Sequence, residues 1–138
     1  MAGREANYCF VCGPDNPVGL RLRFQRDGDA VTAEFVPREE HVGWQGVVHG
    51  GILAAVLDDA MGNVFYLQGY QALTARMEVR FRRPVRPGDR LRVRAWVASE
   101  DGRTITTRAE LVRDGDVVCS GEGVFLRRTL REVDGGAR

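Results

Sequence analysis

The sequence predicts an α+β fold in which a curved antiparallel β-sheet wraps around one long central helix. Residues 52–67 are almost continuously apolar, and a run of this length is typical of a helix rather than a strand. Six other segments alternate apolar and polar side chains, as half-buried strands do. Short turn sequences join most of these segments, so neighbouring strands are expected to run antiparallel.

The predicted helix follows His49 and the pair Gly50-Gly51, and it ends near Gly69. Alanine and leucine lead its composition, and it is apolar on nearly every side. A helix of this kind has to be buried. It is also the only large apolar partner that the sequence offers to the strands, so we expect the sheet to curve around it.

Two predicted strands precede the helix, at residues 20–26 and 30–35, and Asp27-Gly28 between them is a strong hairpin signal. Four predicted strands follow the helix, at residues 72–83, 91–97, 105–111 and 117–126. The alternation is weak in the last of them.

The chain of 138 residues is predicted to be a single domain, with a turn-rich lead-in at 1–19 and a flexible tail at 127–138. A net charge of +1 gives no bulk attraction for nucleic acid or for a membrane surface. No signal-peptide pattern is present, and Asp58 and Asp59 interrupt the long apolar run, so we expect no membrane span. Three cysteines without a secretory signal indicate reduced thiols and a cytoplasmic location.

Cys9 and Cys12 have the spacing of half a zinc site. A structural zinc site needs four ligands, and the sequence has no second CxxC and no close Cys/His pair. We therefore predict no metal and interpret the two cysteines as small packing residues.

Two carboxylates, Asp58 and Asp59, lie in the middle of the apolar helix. An unpaired carboxylate there costs several kcal/mol, so each must be hydrogen-bonded, shifted in pKa or facing a site. Small residues one turn away at Ala54, Ala55 and Gly62 leave room for a substrate beside Asp58, which we predict to be the functional carboxylate. The alternative for either aspartate is a buried carboxylate held by backbone or arginine partners.

The start of the helix is the second candidate feature. Free backbone N–H groups at Gly50 and Gly51, reinforced by the helix dipole, favour a developing oxyanion; alternatively, the glycines only permit a tight junction. His49 and Asp58 are nine residues apart, so they point to opposite sides and lie roughly 13 Å apart along the axis. Two antiparallel copies of the helix can bring such groups together, which predicts a site shared across the interface of at least a dimer.

These motifs carry a resemblance. Three motifs are involved: HGG at 49–51 with Asp58 nine residues after the histidine, FRRPVRPGD at 81–89, and CFVCGPDNPVGL at 9–20. Together they resemble the hotdog-fold acyl-CoA thioesterases of the PaaI type. The resemblance covers nearly the whole chain. It implies the hotdog fold, Asp58 as nucleophile or general base, and a Gly50 amide that polarises the thioester carbonyl from the other subunit.

The chain departs from the family pattern at two positions. Gly43 stands where the family often has Asn or Gln, and Gly62 stands where it often has Ser or Thr. Gln45 is our candidate to position the water or the carbonyl in place of the missing residue. His49 is expected to orient the loop by hydrogen bonding rather than to act as a base.

Arginine side chains at the end of the third predicted strand suit the phosphate groups of coenzyme A, although a solvated strand face is an equally good interpretation. The predicted residues that bind substrate or coenzyme A are Gly51, Met61, Gly62, Arg80, Arg82 and Arg83. For Met61, which would line an acyl pocket, core packing is the alternative.

The sequence thus predicts an acyl-CoA thioesterase that releases a free acid and coenzyme A, with no cofactor beyond the coenzyme A of its substrate. Its expected partners are acyl-CoA and further copies of itself as a dimer or tetramer, with no nucleic acid and no membrane. The first alternative is a non-catalytic acyl-CoA binder or sensor, which Gly43 and Gly62 favour. The second is an enoyl-CoA hydratase, which the offset between His49 and Asp58 disfavours because that chemistry needs a His/Asp base pair.

Overall fold

A computed structural model describes residues 7–69 and 71–128 of the chain. One long helix, α1 (Gly50–Tyr66), packs against a six-stranded antiparallel sheet. The strands are β1 (Gln25–Asp27), β2 (Ala30–Phe35), β3 (Gln71–Phe81), β4 (Leu91–Asp101), β5 (Thr104–Arg113) and β6 (Asp116–Arg128). A single 3-10 turn, Glu39–His41, lies between β2 and α1. The predicted α+β class, with a sheet around one central helix, is confirmed.

The strands follow the order β1-β2-β4-β5-β6-β3, and each neighbouring pair is antiparallel. The sheet is open, so β1 and β3 are its edges. The helix packs against β2, β3, β4, β5 and β6. The core between them includes the fully buried side chains of Leu57, Phe65, Leu111 and Phe125. In the described ranges no helix has both the length and the hydrophobicity to cross a membrane.

Two glycines explain the weak alternation of β6, because side chains of α1 lie against them. A Cβ atom on Gly123 would lie 2.6 Å from Phe125 Cε1 and 3.2 Å from Met61 Cε. A Cβ atom on Gly121 would lie 3.3 Å from Leu57 Cδ1. The helix side chains occupy the space that apolar side chains of β6 would otherwise fill, so the strand reads as irregular in sequence.

The first predicted strand is wrong in its bounds. Residues 20–26 alternate as a strand does, yet β1 begins only at Gln25. The backbone N–H of Leu20 donates to the carbonyl oxygen of Phe10 (2.8 Å) and that of Leu22 to Val11 (2.9 Å), so this segment is tied to the N-terminal lead-in instead of to β2.

The other element ends differ less from expectation. The helix ends at Tyr66, and Gly69 follows it in the left-handed conformation (φ +93°) with its N–H donating to the Tyr66 carbonyl at 3.0 Å. At the C-terminus β6 continues to Arg128, past the predicted start of the tail. The remaining parts of the predicted lead-in and tail, residues 1–6 and 129–138, lie outside the described residues.

Candidate active site

The start of α1 is held by His49. As the N-cap residue, His49 accepts the N–H of Gly51 at its Nδ1 atom (2.8 Å), and its carbonyl oxygen accepts the N–H of Ile52 (3.0 Å). Because Nδ1 is an acceptor, the proton of the neutral imidazole resides on Nε2. This contact is of the orienting kind expected for His49, and any part of it in catalysis stays a prediction.

The N–H of Gly50, the first residue of α1, has no acceptor in the described part of the chain. The positive end of the helix dipole reinforces such a donor. A Cβ atom on Gly50 would lie 3.3 Å from the Phe81 ring. Because glycine has no side chain, the space between the ring and this N–H is not filled. The group is therefore available to an oxygen atom of a ligand.

A cavity of about 850 Å³ opens beside this helix start. Its lining includes His49 and Gly50, Trp44 from the preceding loop, and Arg82 and Arg83 from the end of β3. The structure thus places the two arginines on the same cavity as the Gly50 N–H. A volume of this size is in the range of small-molecule and cofactor sites.

Two other predicted residues lie elsewhere. Arg80 lines a separate concave surface on the outer face of the sheet, together with Glu78 and Arg108. Gln45 is exposed in the loop before α1 and does not line the 850 Å³ cavity. Their predicted roles as a phosphate-binding residue and a positioning residue gain no support from these locations.

Asp58 is half-buried on α1, and its Oδ1 atom accepts a hydrogen bond from Thr74 Oγ1 at 2.7 Å. Thr74 reaches the helix because the register of β3 against β6 shifts between Thr74 and Arg76. Such a bulge changes the face to which side chains point. In the described ranges Asp58 forms no salt bridge, so the alternative of an arginine-held carboxylate does not apply to it.

The residues around Asp58 divide into two groups. A Cβ atom on Gly62 would meet nothing within 4 Å, so there is open space beside Asp58 on this side of the helix. Gly51 is exposed at the start of the helix, where a Cβ atom would lie 3.0 Å from His49 Nδ1. Met61 is fully buried in the hydrophobic core, which supports the packing alternative rather than contact with a substrate.

Asp59 points to the N-terminal lead-in. Its Oδ1 atom lies 3.2 Å from Cys9 Sγ in a hydrogen bond, and Asn63 Nδ2 donates to its Oδ2 atom (3.2 Å) and to its carbonyl oxygen (2.8 Å). Burial raises the pKa of the Asp59 carboxyl to about 7. The hydrogen bond between the two thiols lowers the pKa of Cys9 to about 5 and raises that of Cys12. Asp59 is thus held by cysteines and Asn63 rather than by arginine.

The fold and the helix-start cavity define the class of protein. An open antiparallel sheet around one central helix is the hotdog architecture that the sequence motifs implied. The profile of the thioesterase superfamily matches residues 45–120, a range that includes α1, Asp58 and most of the sheet. The chain belongs to the thioesterase superfamily, which supports a thioester hydrolase.

Solved structures agree with this assignment. A thioesterase superfamily protein is similar with a TM-score of 0.82 and 30% identity; the match covers 87% of this chain and 60% of that one, so this chain spans less than two thirds of that protein's length. A mutant of the phenylacetic acid degradation protein PaaI from Thermus thermophilus is similar with a TM-score of 0.72 and 27% identity, over 79% and 95% of the two chains. The resemblance to PaaI-type hotdog thioesterases is confirmed.

A third structure shows the fold alone. A Streptococcus mutans protein bound to acetyl CoA has a TM-score of 0.73 at 14% identity, over 78% of this chain and 89% of that one.

Proposed function

We propose that this chain is an acyl-CoA thioesterase, which hydrolyses its substrate to a free acid and coenzyme A. The observation that carries this proposal is the free N–H of Gly50 at the start of α1, on a cavity that Arg82 and Arg83 also line. A thioester carbonyl needs a hydrogen-bond donor where its oxygen becomes negative, and a coenzyme A moiety needs cations for its phosphates. The cavity offers both.

Binding of coenzyme A to the arginines is part of the proposal. Guanidinium groups form paired hydrogen bonds to phosphate oxygens, and both Arg82 and Arg83 are exposed at the rim of the cavity. The Streptococcus mutans protein of the same fold binds acetyl CoA, which supports a ligand of this class here.

The site is proposed to form between two copies of the chain. Gly50 and Asp58 are eight residues apart on one helix, so about 12 Å separates them along its axis. A reacting carbonyl carbon lies about 3 Å from its nucleophile and its oxygen about 3 Å from a donor, so one chain does not supply both groups. An antiparallel second α1 puts Asp58 opposite the partner subunit's Gly50.

Features of the surface support this pairing. Ala55, Asp58 and Gly62 form one face of α1 that the sheet leaves only half-buried. The neighbouring edge strand β3 exposes 43% of Leu73 and 56% of Phe81. A second copy that pairs along β3 covers both the strand edge and the half-buried helix face.

In the proposed reaction Asp58 either attacks the thioester carbon or removes a proton from a water molecule that attacks it. The Gly50 N–H from the other subunit stabilises the oxyanion, and the C–S bond then breaks to release the thiolate, which takes up a proton. In the first route water hydrolyses the resulting anhydride. Thr74 holds one carboxylate oxygen, which leaves the other free to react.

The test is the release of free thiol from a panel of acyl-CoA substrates. Asp58→Asn is expected to lower kcat by at least ~10²-fold, since the amide is neither a base nor a nucleophile. Asp59→Asn, on the adjacent position of the same helix, is the matched control and is expected to keep most of the activity of the folded protein. Circular dichroism and coenzyme A affinity establish that both variants fold and bind.

Other outcomes identify the rivals. Acyl-CoA binding without thiol release in the wild-type protein would mean a binder or sensor. Loss of enoyl absorbance without thiol release would mean a hydratase. Equal loss of activity in the two aspartate variants, with both folded, would remove Asp58 from its assigned role.

A further inference from the structure

Two cysteines and an aspartate form a cluster outside the proposed reaction site. Cys9 and Cys12 of the lead-in meet Asp59 of α1, and their ligand atoms all lie within 4.8 Å of one another. In a tetrahedral zinc site, bond lengths of about 2.3 Å to sulfur and 2.0–2.2 Å to oxygen separate the ligand atoms by roughly 3.5–3.8 Å. The cluster is therefore close to the spacing of a metal site.

The cluster also lacks a positive charge. Asp59 forms no salt bridge with an arginine in the part of the chain that the structure describes, although all the basic residues of this protein are arginines. Its polar contacts are Cys9 and Asn63. Charged groups that are removed from water become paired, coordinate a metal or shift in pKa until they are neutral. A divalent cation among the three side chains supplies the missing charge.

The loop that carries the cysteines is fixed in shape. The N–H of Gly13 donates to the Cys9 carbonyl at 2.8 Å, and a Cβ atom on Gly13 would lie 2.4 Å from the Cys9 nitrogen and 2.5 Å from the Asn7 carbonyl oxygen. At the cluster itself, Asn63 Nδ2 donates to the Cys12 sulfur at 3.9 Å. Hydrogen-bond donors around a thiolate are typical of the outer shell of a metal site.

We propose that Cys9, Cys12 and Asp59 bind one Zn²⁺ ion, with a water molecule as the fourth ligand. A cavity of about 190 Å³ borders all three side chains together with Asn63 and provides room for that water. Any proton that the two thiols or the Asp59 carboxyl still carry passes to solvent when the metal binds. The ion fastens the lead-in to the middle of α1, beside Asp58.

The prediction of no metal counted only cysteines and histidines that are close in sequence. Asp59 is 50 residues away from Cys9, and only the fold brings it to the pair. Carboxylate oxygen is an ordinary zinc ligand, so the sequence count was incomplete.

Titration of the reduced, metal-free full chain with Co²⁺ tests the proposal. We expect one equivalent to give thiolate-to-metal charge transfer in the near ultraviolet and the intense visible bands of tetrahedral cobalt, and Zn²⁺ to displace it stoichiometrically. If the folded wild-type protein gave no charge-transfer band, the proposal would be overturned, and this result requires no variant.

Variants locate the site. Cys9→Ser is expected to reduce the charge-transfer intensity by about half, and Asp59→Asn to weaken Co²⁺ binding by more than ~10-fold, the least that loss of even an outer-shell partner costs. Cys119→Ser is the control, because Cys119 is buried in the core away from the cluster, and its spectrum is expected to equal the wild type. If the charge-transfer band were unchanged in Cys9→Ser, the assignment of Cys9 as a ligand would be contradicted. Asp58→Asn is expected to bind Co²⁺ normally, so the proposal stands or falls separately from the thioesterase.

Discussion

The hydrogen bond between Thr74 and Asp58 is a residue-scale feature with a direct chemical consequence. A donor at 2.7 Å fixes the rotamer of the Asp58 carboxylate. We expect Thr74→Val, which keeps the shape but removes the hydroxyl, to lower kcat for thioester hydrolysis by ~10-fold, since a hydrogen bond to a charged group contributes about 1.5–3 kcal/mol. KM should change little, because Thr74 does not contact the substrate in this account.

Thr74→Ser is the matched control for this contact, because it retains the hydroxyl and should restore the rate. A kcat that is unchanged in Thr74→Val would show that the contact does not act on Asp58.

His41 gives a stability prediction at the same scale. It is buried, its Nδ1 atom accepts the Arg38 N–H at 2.9 Å, and its carbonyl oxygen accepts the His49 N–H at 2.8 Å. Burial, followed by the positive charge of Arg38, lowers the pKa of His41 below 6.5, against the opposing effect of Glu40.

A depressed histidine pKa means that the unfolded chain takes up a proton first as the pH falls. The free energy of unfolding should therefore decrease below about pH 6.5, down to the lower folded pKa, and be unaffected by this group above that window. Denaturant titrations from pH 8 to pH 5 should show a shallower decrease for His41→Gln than for wild type. Identical slopes would contradict the account.

Only some of the residues in the candidate site and the cysteine cluster could be predicted from the sequence. Helical spacing alone separated Asp58 from Asp59, because the small neighbours of Asp58 can be read directly from the sequence. Thr74 was missed because a strand bulge brings it to the helix, and no sequence pattern marks that bulge. The Cys9 contact with Asp59 was missed because it links residues 50 positions apart through an irregular loop.

At the scale of elements, the first turn of α1 is where the proposed oxyanion contact can be tested. Gly50→Pro removes the N–H but suits the first helical position, and His49, at φ −59° and ψ 131°, already has the backbone conformation that a following proline requires. We expect this variant to keep its fold and to lose about 10²–10³-fold in kcat.

Gly50→Ala is the matched control for that experiment. It adds the same Cβ atom, 3.3 Å from the exposed Phe81 ring, but keeps the N–H. It should therefore cost much less activity than Gly50→Pro. If the two variants lost activity equally, the defect would be steric and the Gly50 amide would have no special part in the reaction.

Element prediction succeeded where one periodicity dominated. The apolar run gave α1, and the Asp27-Gly28 turn gave the hairpin of β1 and β2. It failed at residues 20–24, where the sequence alternates as a strand does but the backbone is hydrogen-bonded to the lead-in rather than to a neighbouring strand. In β6 the pattern was blurred because glycines replace apolar side chains against α1.

At the scale of the whole molecule, the proposed site depends on a second copy of the chain. The fold class and the wrapping of the sheet around α1 followed from binary patterning, since an apolar helix and the apolar face of an antiparallel sheet are buried by packing on each other. The position of the cavity did not, because it depends on how the loop before α1 meets the end of β3.

Mixing two inactive variants tests the shared site most directly. In a dimer of Asp58→Asn with Gly50→Pro, one site carries both defects and the other carries neither. If the dimers assemble at random from equal amounts, half are mixed and each has one intact site, so about a quarter of wild-type activity should return. Thiol release is measured after the differently tagged variants are co-refolded. If activity stays at the level of the separate variants although mixed dimers are isolated by their tags, Asp58 and the partner subunit's Gly50 do not form a common site.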